Sequence, residues 1–339
     1  MFESIKKVKE QFGWVPEISG SVIRPGFRRV IVCGMGGSNI ASGFLEMLRP
    51  DLEIVAHRSY GLPVQACLPE NASKDDLIII SSYSGNTEEA LDSFEKALAG
   101  GFQMIAISTG GELLRRAKEG AISFIEIPLL RQGFGGQAAS NLQPRMALGY
   151  SLLAMLKAVG DEENLKNAQE FGKNFNPDGF EKEGMALAEK LQNKIPVIYS
   201  SWDNKAIAYA WKIKLNETAK IPAFFNVFPE INHNEMMGFL ASGAAPESVG
   251  GRAMNPYFIF LEDPEDHPGI QKRMKITQKM FEDQNHWCHP CVLVDSHRIA
   301  RIFNSLALAD WTAYYLAKNY GVDPEQVLLV EEFKKRMKE

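Results

Sequence analysis

At 339 residues the chain exceeds most single hydrophobic cores and fits two domains of ordinary size. Hydrophobic residues at 45% and charged residues at 23% match globular proteins, which excludes disordered, fibrous and disulfide-scaffold classes. A formal charge of -5 argues against nucleic acid as a partner, and the absence of an apolar run of 18 residues argues against a membrane-bound protein.

In chain order, the opening "MFESIKKVKEQFGWVPEISG" lacks the apolar core of a signal peptide, so the expected location is the cytoplasm. Short apolar runs then alternate with amphipathic ones: "RRVIVCG", a helical pattern to Leu48, "EIVAH", "DLIIISS", a helix from Glu88 to Leu98, "QMIAIST" and "ISFIEIP". This alternation predicts βαβ units on a parallel sheet covered on both faces, an α/β fold. "QAASNLQPRMALGYSLLAMLKAVG" predicts one long helix, and "GDEENLKNAQEFGKNFNPDGFEKEG" has the composition of a connector, with a domain boundary near residues 155 to 185. The order then restarts with helix "MALAEKLQNK", strand "IPVIYSS", helix "NKAIAYAWKIKLNETAK", strands "AFFNVF" and "NPYFIFLED", a charged helix, strand "CVLVD" and a helix from Arg298 to about Asn319. The halves look like two copies of one plan, without a close sequence repeat.

Four cysteines, Cys33, Cys67, Cys288 and Cys291, are too few and too scattered for a disulfide framework. "HWCHPC" crowds His286, Cys288, His289 and Cys291 like metal or redox ligands, but no second such motif completes a site; the alternative is a loop entering the strand "CVLV".

In open parallel sheets, ligands sit where strand ends feed helix N-termini. "GMGGSNIA" places Gly34, Gly36, Gly37 and Ser38 there, so that backbone can approach a ligand closely. A dinucleotide reading fails on Asn39 at the third glycine position and on a second strand ending in His57 and Arg58 rather than an acid. "SSYSGNTEE" lacks the lysine of a nucleotide P-loop. What remains is Ser82, Ser84 and Thr87 at a helix N-terminus, which suits a monophosphate held by neutral hydroxyls and the helix dipole. The competing reading is a plain cap by Asn86 or Thr87, boxed by Glu89.

In the second half, Glu217 lies on a helix whose other face is Ile207, Ala208, Trp211 and Leu215. It is either a general base set against apolar walls or a solvated residue paired with Lys214 or Lys220. His233 is a proton-transfer candidate or an N-terminal residue of the next helix. Arg145, after Pro144, is an oxyanion stabiliser or a surface residue of a helix's first turn.

Taken together, "GMGGSNIA", "SYSGNTEE", "QPRMALGYSL", "LNETAK", "PEINHNE" and "LADWTAYYLAKNYGVDP" resemble the bifunctional phosphoglucose/phosphomannose isomerases of the sugar isomerase (SIS) domain superfamily, in order from "FGWVPEI" to "FKKR". The resemblance implies two doubly wound, flavodoxin-like SIS domains, at 1–157 and 191–339, joined by connector helices at 158–190. It implies a homodimer with a shared active site, a sugar phosphate as the small-molecule substrate, and neither cofactor nor metal. Ser82, Ser84, Thr87 and Ser38 would hold the phosphate beside Gly36 and Gly37. Glu217 would be the base, His233 the ring opener, reaching the neighbouring subunit's site, and Arg145 the stabiliser of an enediolate. Lys334, with Lys335 beside it, would complete the set. One departure is Asn39, where the family often has a small residue. The implied reaction interconverts glucose 6-phosphate, fructose 6-phosphate and mannose 6-phosphate through a cis-enediol. A sugar-phosphate-binding SIS regulatory protein is the rival from another class, and an amino-sugar phosphate isomerase the rival enzyme.

Overall fold

Near-continuous runs of aliphatic residues form central strands buried on both faces, and with two less buried edge strands the first five assemble one parallel sheet. They are β1 (Arg29–Cys33), β2 (Glu53–His57), β3 (Leu77–Ser81), β4 (Gln103–Ser108) and β5 (Ser123–Glu126), in spatial order β2-β1-β3-β4-β5. The computed structural model describes residues 1–63, 75–128, 131–132, 140–239, 255–295 and 297–337. These divide into two units, Lys7–Phe175, and Met1–Lys6 together with Asn176–Glu339.

The short N-terminal helix α1 (Phe2–Lys6) belongs to the second unit, where Phe2 meets Trp311 edge-on at 5.2 Å. The first unit contains α2 (Gly37–Leu48), α3 (Glu88–Ala99), α4 (Gly111–Glu119), α5 (Leu148–Ala158) and α6 (Glu162–Asn174), with a two-residue antiparallel ladder of β6 (Arg131–Gln132) and β7 (Ser140–Asn141). Its core on one sheet face packs Ile31, Ile78 and Ile80 against Phe94 and Leu113.

The second unit contains α7 (Glu181–Leu191), β8 (Ile195–Ser201), α8 (Lys205–Lys214), β9 (Phe224–Phe228), β10 (Pro256–Glu262), α9 (Pro268–Asp283), β11 (Trp287–Val292), α10 (Arg298–Tyr320) and α11 (Leu328–Arg336). Its parallel sheet has order β11-β10-β8-β9, which read from β9 repeats the winding of the first sheet's β2-β1-β3-β4. The α/β, doubly wound reading therefore holds for both halves. Each sheet reverses its strand order once, between β1 and β3 and between β8 and β10.

Two expectations about elements are corrected. The helix predicted from Gln137 begins only at Leu148, after a 3-10 turn at Pro144–Met146; residues 137–139 of that stretch lie outside the described residues, as does Cys67. Pro144 has no N–H to give a helix and forces Gln143 into extended backbone (φ -65°, ψ 141°). "HWCHPC" is not a loop: Trp287–Val292 is β11 itself. It lies at the sheet edge, where Pro290 costs no ladder bond. The polar stretch expected as a connector carries α6, whose N-cap Asp161 accepts from Asn164 N–H at 3.0 Å, and the start of α7.

Candidate active site

The switch point of the first sheet brings the ends of β1 and β3 together, and with them both loops singled out above. Gly36 caps α2, and Gly37 opens its first turn. A Cβ on Gly37 would lie 2.9 Å from the Pro144 carbonyl carbon and 3.0 Å from Arg145 N, so only glycine lets the Arg145 turn seat there. The serine loop turns at Gly85, whose φ of 71° and closeness to Gly110 O (1.9 Å from an added Cβ) again admit glycine alone.

The hydroxyls of this loop are ordered by direction. Gly85 N–H donates to Ser82 Oγ at 3.1 Å, and Ser82 O–H donates to Thr87 Oγ1 at 2.8 Å, so the Thr87 proton is directed onward. Ser38 Oγ accepts from Tyr83 N–H at 2.9 Å, which likewise leaves its proton for another acceptor. Ser81 O–H donates to Ser38 O at 2.9 Å and binds the two loops together. Ser38 and Ser82 are buried, Thr87 is half-buried, and Ser84 is exposed with its Oγ accepting from Asn86 N–H at 3.3 Å.

The competing cap does not form. Thr87 occupies the N-cap position of α3 without a side-chain cap bond, and Asn86 Oδ1 accepts instead from Glu112 N–H at 3.1 Å. The orphan first-turn amides of α3 and the outward hydroxyl protons together favour an anion. Behind the loop, Tyr83 O accepts from Thr109 O–H at 2.7 Å and Ser108 O–H at 3.3 Å. These supports leave no mark in the local sequence, because they come from the end of β4.

Arg145 is 1% exposed in the 3-10 turn before α5, not a surface residue of a helix's first turn. Its Nη1 donates to Gln143 Oε1 at 3.4 Å. Asn39, fully buried, donates to Val32 O at 3.1 Å and accepts from Arg58 Nε at 2.9 Å, which ties α2 to the ends of β1 and β2.

Glu217, His233 and Lys334 belong to the second unit. Glu217 is half-buried in a π-helical turn, Leu215–Ala219, that continues α8; such turns recur at functional sites. Lys214, one of its expected partners, is buried with Nζ 2.6 Å from Asp310 Oδ1 of α10. Lys220 Nζ donates to the Glu217 main-chain carbonyl.

His233 closes the 3-10 turn Glu230–His233 and is exposed. Around it Asn232 Nδ2 donates to Thr277 Oγ1 at 2.8 Å, and Asn234 Nδ2 to Glu230 Oε1 at 2.6 Å. Glu235 accepts from Tyr199 O–H at 2.8 Å and from Asn226 Nδ2. Lys334 and Lys335 are exposed on α11.

Among the described residues, no group of three or more His, Cys, Asp or Glu side chains could hold a metal ion. In β11, Cys288 Sγ approaches Gln278 O at 3.8 Å, and just before it His286 Nε2 lies 2.6 Å from Phe239 O. Burial, with Glu282 near Cys288 and Glu183 and Glu262 near Cys291, pushes both thiols up to about 12, so both are protonated at neutral pH.

Residues 180–337 match the family described as the bacterial phospho-glucose isomerase C-terminal SIS domain. A bifunctional phosphoglucose/phosphomannose isomerase of Aquifex aeolicus is 34% identical, with 99% of each chain covered. One of Caldicellulosiruptor bescii is 33% identical, covering 100% of this chain and 99% of that relative. Among solved structures, a hypothetical protein of Thermus thermophilus superposes with a TM-score of 0.67 at 13% identity, over 99% of this chain and 87% of that one, a likeness of fold.

Proposed function

The chain belongs to the bifunctional phosphoglucose/phosphomannose isomerase family, and from that premise we propose that it interconverts glucose 6-phosphate, fructose 6-phosphate and mannose 6-phosphate by moving a proton between C1 and C2. The observation that carries this reading is the directed set of hydroxyls at the first sheet's switch point, a neutral anchor suited to a monophosphate.

In the proposed site, Ser38, Ser84 and Thr87 donate to the phosphate beside Gly36 and Gly37, and Ser82 acts by orienting Thr87. His233 exchanges the proton at the ring oxygen, since only the open chain has a carbonyl that acidifies the neighbouring C–H. Glu217 removes that proton and returns it to the adjacent carbon through a cis-enediol. Arg145, buried in its 3-10 turn, offsets charge developing on the enediolate oxygens. Lys334 is the further cation of the site. The remote phosphate fixes C1 and C2 relative to the base. Glucose and mannose phosphates differ at C2 and share one planar intermediate, so one base serves both.

The protein would work in the cytoplasm as a homodimer, with sugar phosphate as its partner; among the described residues no helix is long and apolar enough to cross a membrane. A coupled assay on fructose 6-phosphate that resolves the two aldose products tests the reading. Formation of both products is expected. Binding of fructose 6-phosphate without turnover would leave the regulatory reading instead.

A further inference from the structure

His233 stands exposed on a short 3-10 turn, yet ring opening needs the imidazole held within hydrogen-bond reach of one oxygen. Two residues before it, Ile231 is fully buried in the core of Tyr199, Phe228, Phe258 and Phe260. Two residues after it comes Glu235, half-buried, with both carboxylate oxygens occupied.

Their donors come from neighbouring strands. Tyr199 of β8 and Asn226 of β9 are register partners, so their side chains stand together on one sheet face. Tyr199 is fully buried among aromatic rings 5.6 to 6.0 Å away, where its hydroxyl requires an acceptor. Burial, reinforced by the charge of Glu235, raises this phenol and keeps it a donor. Asn226 Oδ1 already accepts from Val227 N–H at 2.8 Å, which fixes its amide with Nδ2 toward Glu235. Two donors call for two acceptor oxygens, and a carboxylate is the side chain that supplies them; glutamine supplies one.

We propose that Glu235 is a positioning residue for His233: by bridging the cross-strand pair Tyr199 and Asn226 it clamps the segment after the turn, while Ile231 clamps the segment before it, and the imidazole is presented in one place. This rests on the reading of His233 as the ring opener. That step breaks the C2–O5 bond of the furanose as the anomeric hydroxyl loses a proton and the ring oxygen gains one, with no net change in protons.

The test uses two substrates of the full-length enzyme, fructose 6-phosphate and 5-deoxyfructose 6-phosphate, which lacks the hydroxyl that closes the ring. Glu235→Ala should lower kcat on fructose 6-phosphate by about 10- to 100-fold, the scale of a misplaced catalytic group, and leave turnover of the open-chain compound unchanged. Glu235→Gln, which keeps one acceptor, should recover part of the loss. His233→Ala should show the same substrate selectivity. Equal loss on both substrates with Glu235→Ala, or no loss on either, overturns the positioning role. Should Glu235→Ala fail to fold, Glu235→Gln and Tyr199→Phe carry the same comparison. A non-selective His233→Ala would instead refute the ring-opening role, and the positioning role with it; a selective His233→Ala beside a non-selective Glu235→Ala refutes only the latter.

Discussion

Ser82 and Thr87 look equivalent in the sequence, but one hydroxyl feeds the other. Thr87→Val removes the last donor of the relay and should raise KM for fructose 6-phosphate about 10-fold or more, the worth of a hydrogen bond to a charged group, with kcat little changed in steady-state kinetics. Glu217→Gln should lose at least about 100-fold in kcat, and turnover near wild type would remove it as the base. A third residue-scale effect lies at the second sheet's own switch point, where Asn204 Nδ2 donates to Asp263 Oδ2 at 3.1 Å and to Asp266 Oδ1 at 3.3 Å, and Arg301 Nη1 lies 2.8 Å from Asp263 Oδ1. Burial raises the Asp266 carboxyl to about 6 against an opposing hydrogen bond from Ser201, with the charges of Asp263 and Asp203 adding to it and Arg298 reducing it. The folded state therefore holds this proton more tightly than the unfolded chain, and the group's contribution to stability falls as pH rises from about 4 through about 6. Asp266→Asn should raise the melting temperature at pH 7 and flatten its fall between pH 5 and 7, as scanning calorimetry would show. An unchanged pH profile would assign the titration elsewhere. The residue types at both strand ends were legible in the sequence, because glycines and hydroxyls at such places have few other uses. The direction of the relay was not, since Gly85 N–H sets it, and neither was the Glu235 bridge, whose partners lie on two other strands.

Elements were legible wherever burial acts on both faces at once: β3, fully buried along its length, is an unbroken apolar run in the sequence. Legibility failed where local chemistry competes. β11 at the sheet edge mixes exposed Trp287 and Val292 with buried Cys291, so its pattern resembles a loop. α4 escaped notice because it is short and mostly charged, although its buried Leu113, Leu114 and Ala117 recur at helical spacing. The π-helical turn bearing Glu217 was equally hidden, since its residues follow α8 without a break in the helical pattern. Just before it, α8 is joined to α10 by the buried pair of Lys214 and Asp310 and by Trp211 Nε1 donating to Ser305 Oγ at 2.9 Å. Lys214→Met alone breaks a buried ion pair from one side and should cost about 3–5 kcal/mol in urea denaturation, whereas Lys214→Met with Asp310→Leu should recover most of the loss. An equal loss in single and double variants would mean that the pair's geometry, rather than its unbalanced charge, stabilises the helix junction.

At the scale of the molecule, α11 presents Leu328, Leu329 and Phe333 at 65%, 87% and 62% exposure, more apolar surface than a short solvated helix needs. In the proposed homodimer this surface would meet the second copy, so Leu329→Glu with Phe333→Glu should convert dimer to monomer in sedimentation velocity. A dimer that persists would move the interface elsewhere. The N-terminal helix has a different kind of consequence. Phe2 packs on Trp311 and Tyr314, so α1 is completed by α10, which follows every strand of both sheets. A ribosome therefore releases α1 long before α10. The Lys7–Phe175 unit has its described strands in hand while translation continues, but α1 must wait until α10 is made before its docking surface exists. Synthesis order thus separates the two units in time, and a segment made ahead of either sheet is among the last to find its place.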